Sequence, residues 1–169
     1  LMTVFSLSWA TSDLGFSRRD FLIIQLFSIL FFVAGIPISA VLADKFGRKK
    51  VLVLISILIL LFGFTFSFFM DSGSSAMITT FVCIGMGLMG LTYGPLGTFL
   101  SELFPTEVRY SGASLTFNLA GILGASFAPL IAIWLAKSYG IGYVGLYLSV
   151  AALISVLALL AIRKKEEEF

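Results

Sequence analysis

The sequence predicts an all-α membrane protein with several spans, and three observations predict it. Of its 169 residues, 59% are hydrophobic and 12% charged, whereas a soluble domain carries about 25% charged residues. Mean hydropathy is +1.09. The charges fall in short clusters between uncharged apolar runs. Those runs have the length a bilayer asks for, about 20 residues at a rise of about 1.5 Å each. The net charge of +2 says little, because the position of charge matters more than its sum in a membrane protein. Cys83 is the single cysteine, so a disulfide framework is excluded.

Taken in order, residues 1–10 are apolar but too few to cross a bilayer. They read as the end of a helix that begins upstream, and the chain as a fragment. Residues 11–17 form a polar loop. Ser17-Arg18-Arg19-Asp20 then has the spacing of a capping box before an apolar run, so a span is expected over 18–43. Gly35, Ser39 and Ala43 recur every four residues on one face, a small-residue stripe that lets another helix approach closely. Pro37 lies within this span and is expected to kink it.

Residues 44–50 carry Asp44, Lys45, Gly47, Arg48, Lys49 and Lys50 in a very short loop. The next span, 51–70, is rich in Leu, Ile and Phe and reads as lipid-facing. The following span, 76–100, differs in texture: Gly85, Gly87, Gly90, Gly94 and Gly97 crowd it, with Thr92, Tyr93 and Pro95. Such a helix packs tightly and bends. A second charged hairpin, Ser-Glu-Leu-Phe-Pro-Thr-Glu-Val-Arg, occupies 101–109. In it Pro105 suits a helix start and Thr106 a cap. Spans at 110–136, with Asn118, Gly121, Gly124 and Pro129, and at 142–162 complete the series. A charged tail follows at 163–169.

That makes five complete spans and the end of a sixth. If 44–50 lies inside, so do 101–109 and 163–169. The inner face then holds eight basic residues (Lys45, Arg48, Lys49, Lys50, Arg109, Arg163, Lys164, Lys165), and the outer face three (Arg18, Arg19, Lys137). The positive-inside rule is satisfied.

At 40–50 the chain resembles a family. Ala-Val-Leu-Ala-Asp-Lys-Phe-Gly-Arg-Lys-Lys between two spans is similar to the signature loop of the major facilitator superfamily of secondary transporters. Ala40 is a departure, since the superfamily usually has Gly there; a methyl is tolerable in a tight helix contact. The resemblance covers essentially the whole chain. It implies the six-helix C-terminal bundle of a twelve-helix facilitator fold, with a six-helix N-terminal half as its partner in the same chain. The expected surroundings are the lipid bilayer of the cytoplasmic membrane.

The resemblance also implies roles. Asp44 sits at the carboxyl end of its own helix, where the macrodipole disfavours an anion by about 0.3–1 kcal/mol. In the superfamily the matching Asp caps a neighbouring helix and joins an ionic latch with the loop arginine, here Arg48, while Gly47 permits the turn. Lys45 and Lys49 belong to the same motif. The hairpin at 101–109 resembles the loop between the tenth and eleventh superfamily helices. It implies a cytoplasmic network of Glu102, Arg109 and Arg48. The ordinary alternative for all of these is solvated topology charge.

Polar residues inside spans are costly in lipid and tend to face a cavity, which makes Gln25, Thr92, Tyr93 and Asn118 the substrate-cavity candidates. Thr92 could equally bond back to its own helix, and Tyr93 could serve as an interhelical contact. Gly35, Gly90, Gly94 and Gly121 are read as packing positions. Residues 93–115, from Tyr-Gly-Pro-Leu-Gly to Tyr-Ser-Gly-Ala-Ser-Leu, resemble the metabolite:proton symporters. That resemblance implies transport of a small organic acid or zwitterion with protons. Another substrate class, as in sugar porters, and a non-transporting sensor are the alternatives.

No catalytic constellation, metal-ligand spacing or phosphate loop occurs, and nothing suggests a cofactor or a nucleic-acid partner. A membrane-embedded enzyme would cluster ionisable residues at one depth, and a channel would run a polar stripe along one helix. Neither pattern is present. No Asp, Glu, Lys or Arg lies in the interior of the five spans, so a proton carrier is expected in the N-terminal half.

Overall fold

A computed structural model describes residues 1–162; the tail expected at 163–169 lies outside the described residues. These residues are all-α, with no strand among them. The helices are α1 (Val4–Ser12), α2 (Arg18–Phe46), α3 (Arg48–Phe64), α4 (Phe66–Met70), α5 (Ser75–Glu102), α6 (Arg109–Gly121), a π-helical turn (Ile122–Ser126), α7 (Phe127–Tyr139) and α8 (Ile141–Ala161). Among the described residues, four helical stretches are long and apolar enough to cross a membrane: Arg18–Phe46, Ser75–Glu102, Arg109–Tyr139 and Ile141–Ala161.

Local chemistry explains the boundaries. The Ser17 hydroxyl accepts a hydrogen bond from the Asp20 N–H at 3.1 Å, and α2 starts there. The helix is continuous through Pro37. Gly47, at φ +92°, is the single residue between α2 and α3, and Gly140, at φ +97°, joins α7 to α8 in the same way. An L side chain rarely adopts that backbone, so glycine is what makes hairpins this short.

The stretch read as one span over 51–70 is interrupted at Thr65. Its N–H reaches back three residues to the Phe62 carbonyl at 3.1 Å, and its hydroxyl donates to the same oxygen at 2.8 Å. That i–3 geometry tightens the turn and separates α3 from α4. Nor is α3 simply lipid-facing: Val51, Leu52, Ile55, Ser56, Phe62 and Gly63 are buried, while Leu54, Leu61 and Phe64 point outward. The span read over 110–136 is likewise interrupted, by the π turn. Pro129 follows shortly, without an N–H to continue the ladder.

Two packings organise the bundle. α2 lies along α5, and α3 lies between α5 and α8. The main core is aromatic: Phe62 stacks on Phe81 with centroids 4.5 Å apart, Phe66 meets Phe81 edge-on at 4.8 Å, and Phe5 of α1 reaches Phe66 at 6.0 Å. A smaller cluster of Ala43, Val51 and Ile55 closes the end that carries Gly47. Outside these cores the apolar side chains of α2, such as Leu26, Leu30 and Val41, are exposed and suited to lipid.

Candidate functional site

The charged motif residues gather at the end of the bundle where α2 meets α3 and α5 meets α6. Arg48 is the first residue of α3 and Glu102 the last of α5. Their side chains form an ion pair, Nη1 to Oε1, about a third and a half exposed respectively. A pair separated by 54 positions in sequence thus ties two hairpins together. Lys49 turns the other way: its Nζ donates to the Ile162 carbonyl at 2.6 Å and to the Leu160 carbonyl at 3.4 Å, at the end of α8. Lys45 lies over the ring of its neighbour Phe46 at 5.4 Å.

Asp44 and Arg109 do not join that pair. Asp44 is exposed, without a side-chain hydrogen bond or ion pair among the described residues. The Arg109 Nε donates to the Phe104 carbonyl at 3.4 Å within its own hairpin. That hairpin is a run of turns: Phe104 N–H bonds Ser101, and Val108 N–H bonds Pro105. α6 therefore begins at Arg109 rather than at Pro105, and its N-cap, Val108, offers no side-chain cap. A cleft of about 550 Å³ opens there, lined by Ser101, Thr106, Arg109, Tyr110, Ala113 and Ser114.

The four polar span residues are dispersed. The Gln25 amide donates to the Thr3 carbonyl at 2.7 Å and the Met2 carbonyl at 3.4 Å, tying α2 to the chain entering α1. It also lines a cleft of about 430 Å³ with Ser8, Thr11 and Arg18. The Thr92 hydroxyl bonds back to Leu88 at 3.0 Å. Tyr93 meets Phe32 edge-on at 5.5 Å, a contact between α5 and α2. The Asn118 amide donates to the Ser114 carbonyl at 2.8 Å on its own exposed helix. Of the four glycines read as packing positions, Gly35, Gly90 and Gly94 face neighbouring backbone closely, whereas a Cβ at Gly121 would have nothing within 4 Å.

Sequence reasoning missed two contacts of α8. One is the Lys49 bond just described. The other is the buried Ser149 hydroxyl, which donates to the Leu60 carbonyl at 2.9 Å beside the Gly63–Gly145 approach. The spacing of Gly145 and Ser149, two small residues four apart on a span, was the readable signal.

The one-residue hinge, the basic residues flanking it and the acidic partner at the end of α5 thus lie together at one end of the bundle. The sequence matches the Major Facilitator Superfamily over residues 1–169. The chain belongs to the major facilitator superfamily. It is 46% identical over 165 residues to the inner membrane metabolite transport protein YhjE of Escherichia coli, covering 95% of this chain and 38% of that protein. A putative metabolite transport protein of Haemophilus influenzae is 44% identical over 148 residues, covering 88% and 34%. The citrate-proton symporter of Klebsiella pneumoniae is 28% identical over 160 residues, covering 94% and 36%. The chain thus spans about a third of the length of these curated relatives. No solved structure matches it. The family and these relatives are transporters, not enzymes. The chain is part of a multi-pass protein of the plasma membrane.

Proposed function

We propose that the chain is the C-terminal six-helix half of a secondary transporter that moves a small organic acid or zwitterion with protons, by alternating access. The Arg48–Glu102 pair is the observation that carries this reading. It connects the two hairpins that hold the family's loop motifs, and it is exposed enough to break and re-form. The relatives supply the substrate class: their names include metabolite transport and citrate-proton symport. We further propose that 44–50, 101–109 and 163–169 face the cytoplasm, in keeping with eight basic residues on that side against three.

Asp44, Lys45, Gly47, Arg48, Lys49, Glu102 and Arg109 then form the cytoplasmic gate region. Arg48–Glu102 is its closed contact, and Asp44 and Arg109 are placed to meet groups of the N-terminal half. Gln25, Thr92, Tyr93 and Asn118 remain the substrate-cavity residues of this half. Thr92 and Asn118 would have to exchange their own-helix bonds for bonds to substrate. Because no charge lies inside the spans, the proton carrier belongs to the N-terminal half.

The test is uptake of labelled citrate, shikimate and betaine by the full-length protein in proteoliposomes under an imposed proton gradient. Accumulation of one of them that collapses with a protonophore is expected. Uptake indifferent to the gradient overturns proton coupling, and no uptake of any organic acid or zwitterion overturns the substrate class. Sidedness is read separately: a cysteine at Lys49, in a Cys83→Ser background, is expected to be shielded from an impermeant thiol reagent in intact cells. Labelling from outside would invert the topology.

A further inference from the structure

The first turn of α3 holds two helix ends at once. Successive helical residues project about 100° apart, so Arg48 reaches α5 and Lys49 reaches α8. The two holds differ in kind. Arg48 meets a side chain, Glu102, that can swing away. Lys49 meets backbone: Leu160 lies in the last turn of α8 and Ile162 is the residue that caps it, and carbonyls at a helix carboxyl end are the ones open to a side-chain donor. The Ile162 backbone is extended, at ψ 107°, so the helix ends there. A cation at that position also complements the negative end of the helix dipole. Lys49 is partly buried, so its ammonium is partly withdrawn from water toward these oxygens.

The rest of the α3–α8 contact agrees with a fixed pair. Farther along, the buried Ser149 hydroxyl donates to Leu60, and Gly63 and Gly145 bring the two backbones together. A Cβ built at Gly63 would stand 2.6 Å from the Gly145 carbonyl oxygen. The two helices are held at the Lys49 end and again near the far end of α3.

We propose that Lys49 is a positioning residue that fastens the carboxyl end of α8 to the first turn of α3, so that α3 and α8 travel as one body while the Arg48–Glu102 contact opens and closes. The consequence for transport rests on the transporter reading above, but the fastening does not. Lys45, Arg48 and Lys50 leave enough basic charge to orient the loop, so Lys49 is not needed for insertion.

The test uses the full-length protein in a Cys83→Ser background, in nanodiscs, with spin labels at the exposed positions Lys50 and Leu157. Pulsed dipolar spectroscopy should give one narrow distance distribution. Lys49→Met is expected to broaden it about twofold, because the end of α8 gains further positions. Lys49→Arg, which keeps N–H donors and charge, should stay narrow, and so should Arg48→Ala, which releases only the α5 hold. If Lys49→Met does not accumulate, Lys49→Gln is measured instead and should broaden the distribution too. A narrow distribution in the Met or Gln variant overturns the proposal, as does broadening by Arg48→Ala equal to that of Lys49→Met. No substrate is required, so the outcome is independent of whether the transport assay succeeds.

Discussion

In the α2–α5 pair Gly35, Gly90 and Gly94 let two backbones touch; in the α6–α7 path Gly121 and Gly124 stand in open space among the described residues. A Cβ at Gly35 would lie 2.9 Å from both the Gly87 carbonyl and the Leu91 nitrogen, and one at Gly94 2.5 Å from the Ile36 carbonyl. One at Gly90 would run into the Phe32 carbonyl itself. Across the bundle, a Cβ at Gly121 or Gly124 would have nothing within 4 Å, and α6 buries no residue at all. The same residue type therefore does two jobs. Against a neighbouring helix it removes side-chain volume and permits van der Waals contact between backbones. Without a neighbour it only loosens the helix, and there the ladder slips into a π turn at Ile122–Ser126. Tight and loose regions in one bundle suit the alternating access proposed above.

The sharpest way to break this comparison is Gly90→Ala. The added methyl meets backbone atoms that cannot rotate aside, so a loss of about 1–3 kcal/mol is expected, read as a lower melting temperature in detergent. A melting temperature equal to wild type would mean that the α2–α5 contact is looser than its geometry. Next comes Ser149→Ala, which removes the hydroxyl bond to Leu60 between α3 and α8. A loss of about 0.5–1.5 kcal/mol in the same melt is expected. A larger loss than that of Gly90→Ala would rank α3–α8, not α2–α5, as the tighter seam.

Gly121→Ala should act in the opposite direction. With free space at the Cβ and helical backbone on either side, it is expected to stabilise by up to about 1 kcal/mol. A destabilised variant would show that α6 is packed closely against something at Gly121. The smallest effect belongs to Arg48→Ala. A partly exposed ion pair contributes about 0–1 kcal/mol, so the balance of outward-open and inward-open forms should shift by at most about fivefold toward inward-open. Reactivity of a cysteine at Thr92 toward a reagent on the cytoplasmic side should rise accordingly. No change at Thr92 would leave the loop as a topology signal and remove the gate.

Much of this molecule was readable because membranes impose few options. The capping box at Ser17 starts α2, the stripe of Gly35, Ser39 and Ala43 is buried, and the basic residues at 44–50 flank a one-residue hinge. The site was less legible. Arg48 and Glu102 come from the two loop motifs, and the fold brings them together. Asp44 and Arg109 share the same motifs and stay apart from that pair. Thr92 and Asn118 are polar in apolar runs, yet each has an acceptor one turn back on its own helix. A hydroxyl or amide can always find that local partner, so polarity within a span does not by itself reveal a cavity.

The sequence by itself determined the class, the helical paths and the family motifs, because a bilayer demands long apolar helices and concentrates charge at their ends. Only the tertiary structure decided where those paths break, at Thr65 and at the π turn. It also decided which glycines meet backbone, and which helix end each basic residue holds. Those outcomes depend on what stands opposite a residue across the bundle. Spacing along one helix gives a face and a register, but the atom waiting on the other side is fixed only when the helices dock.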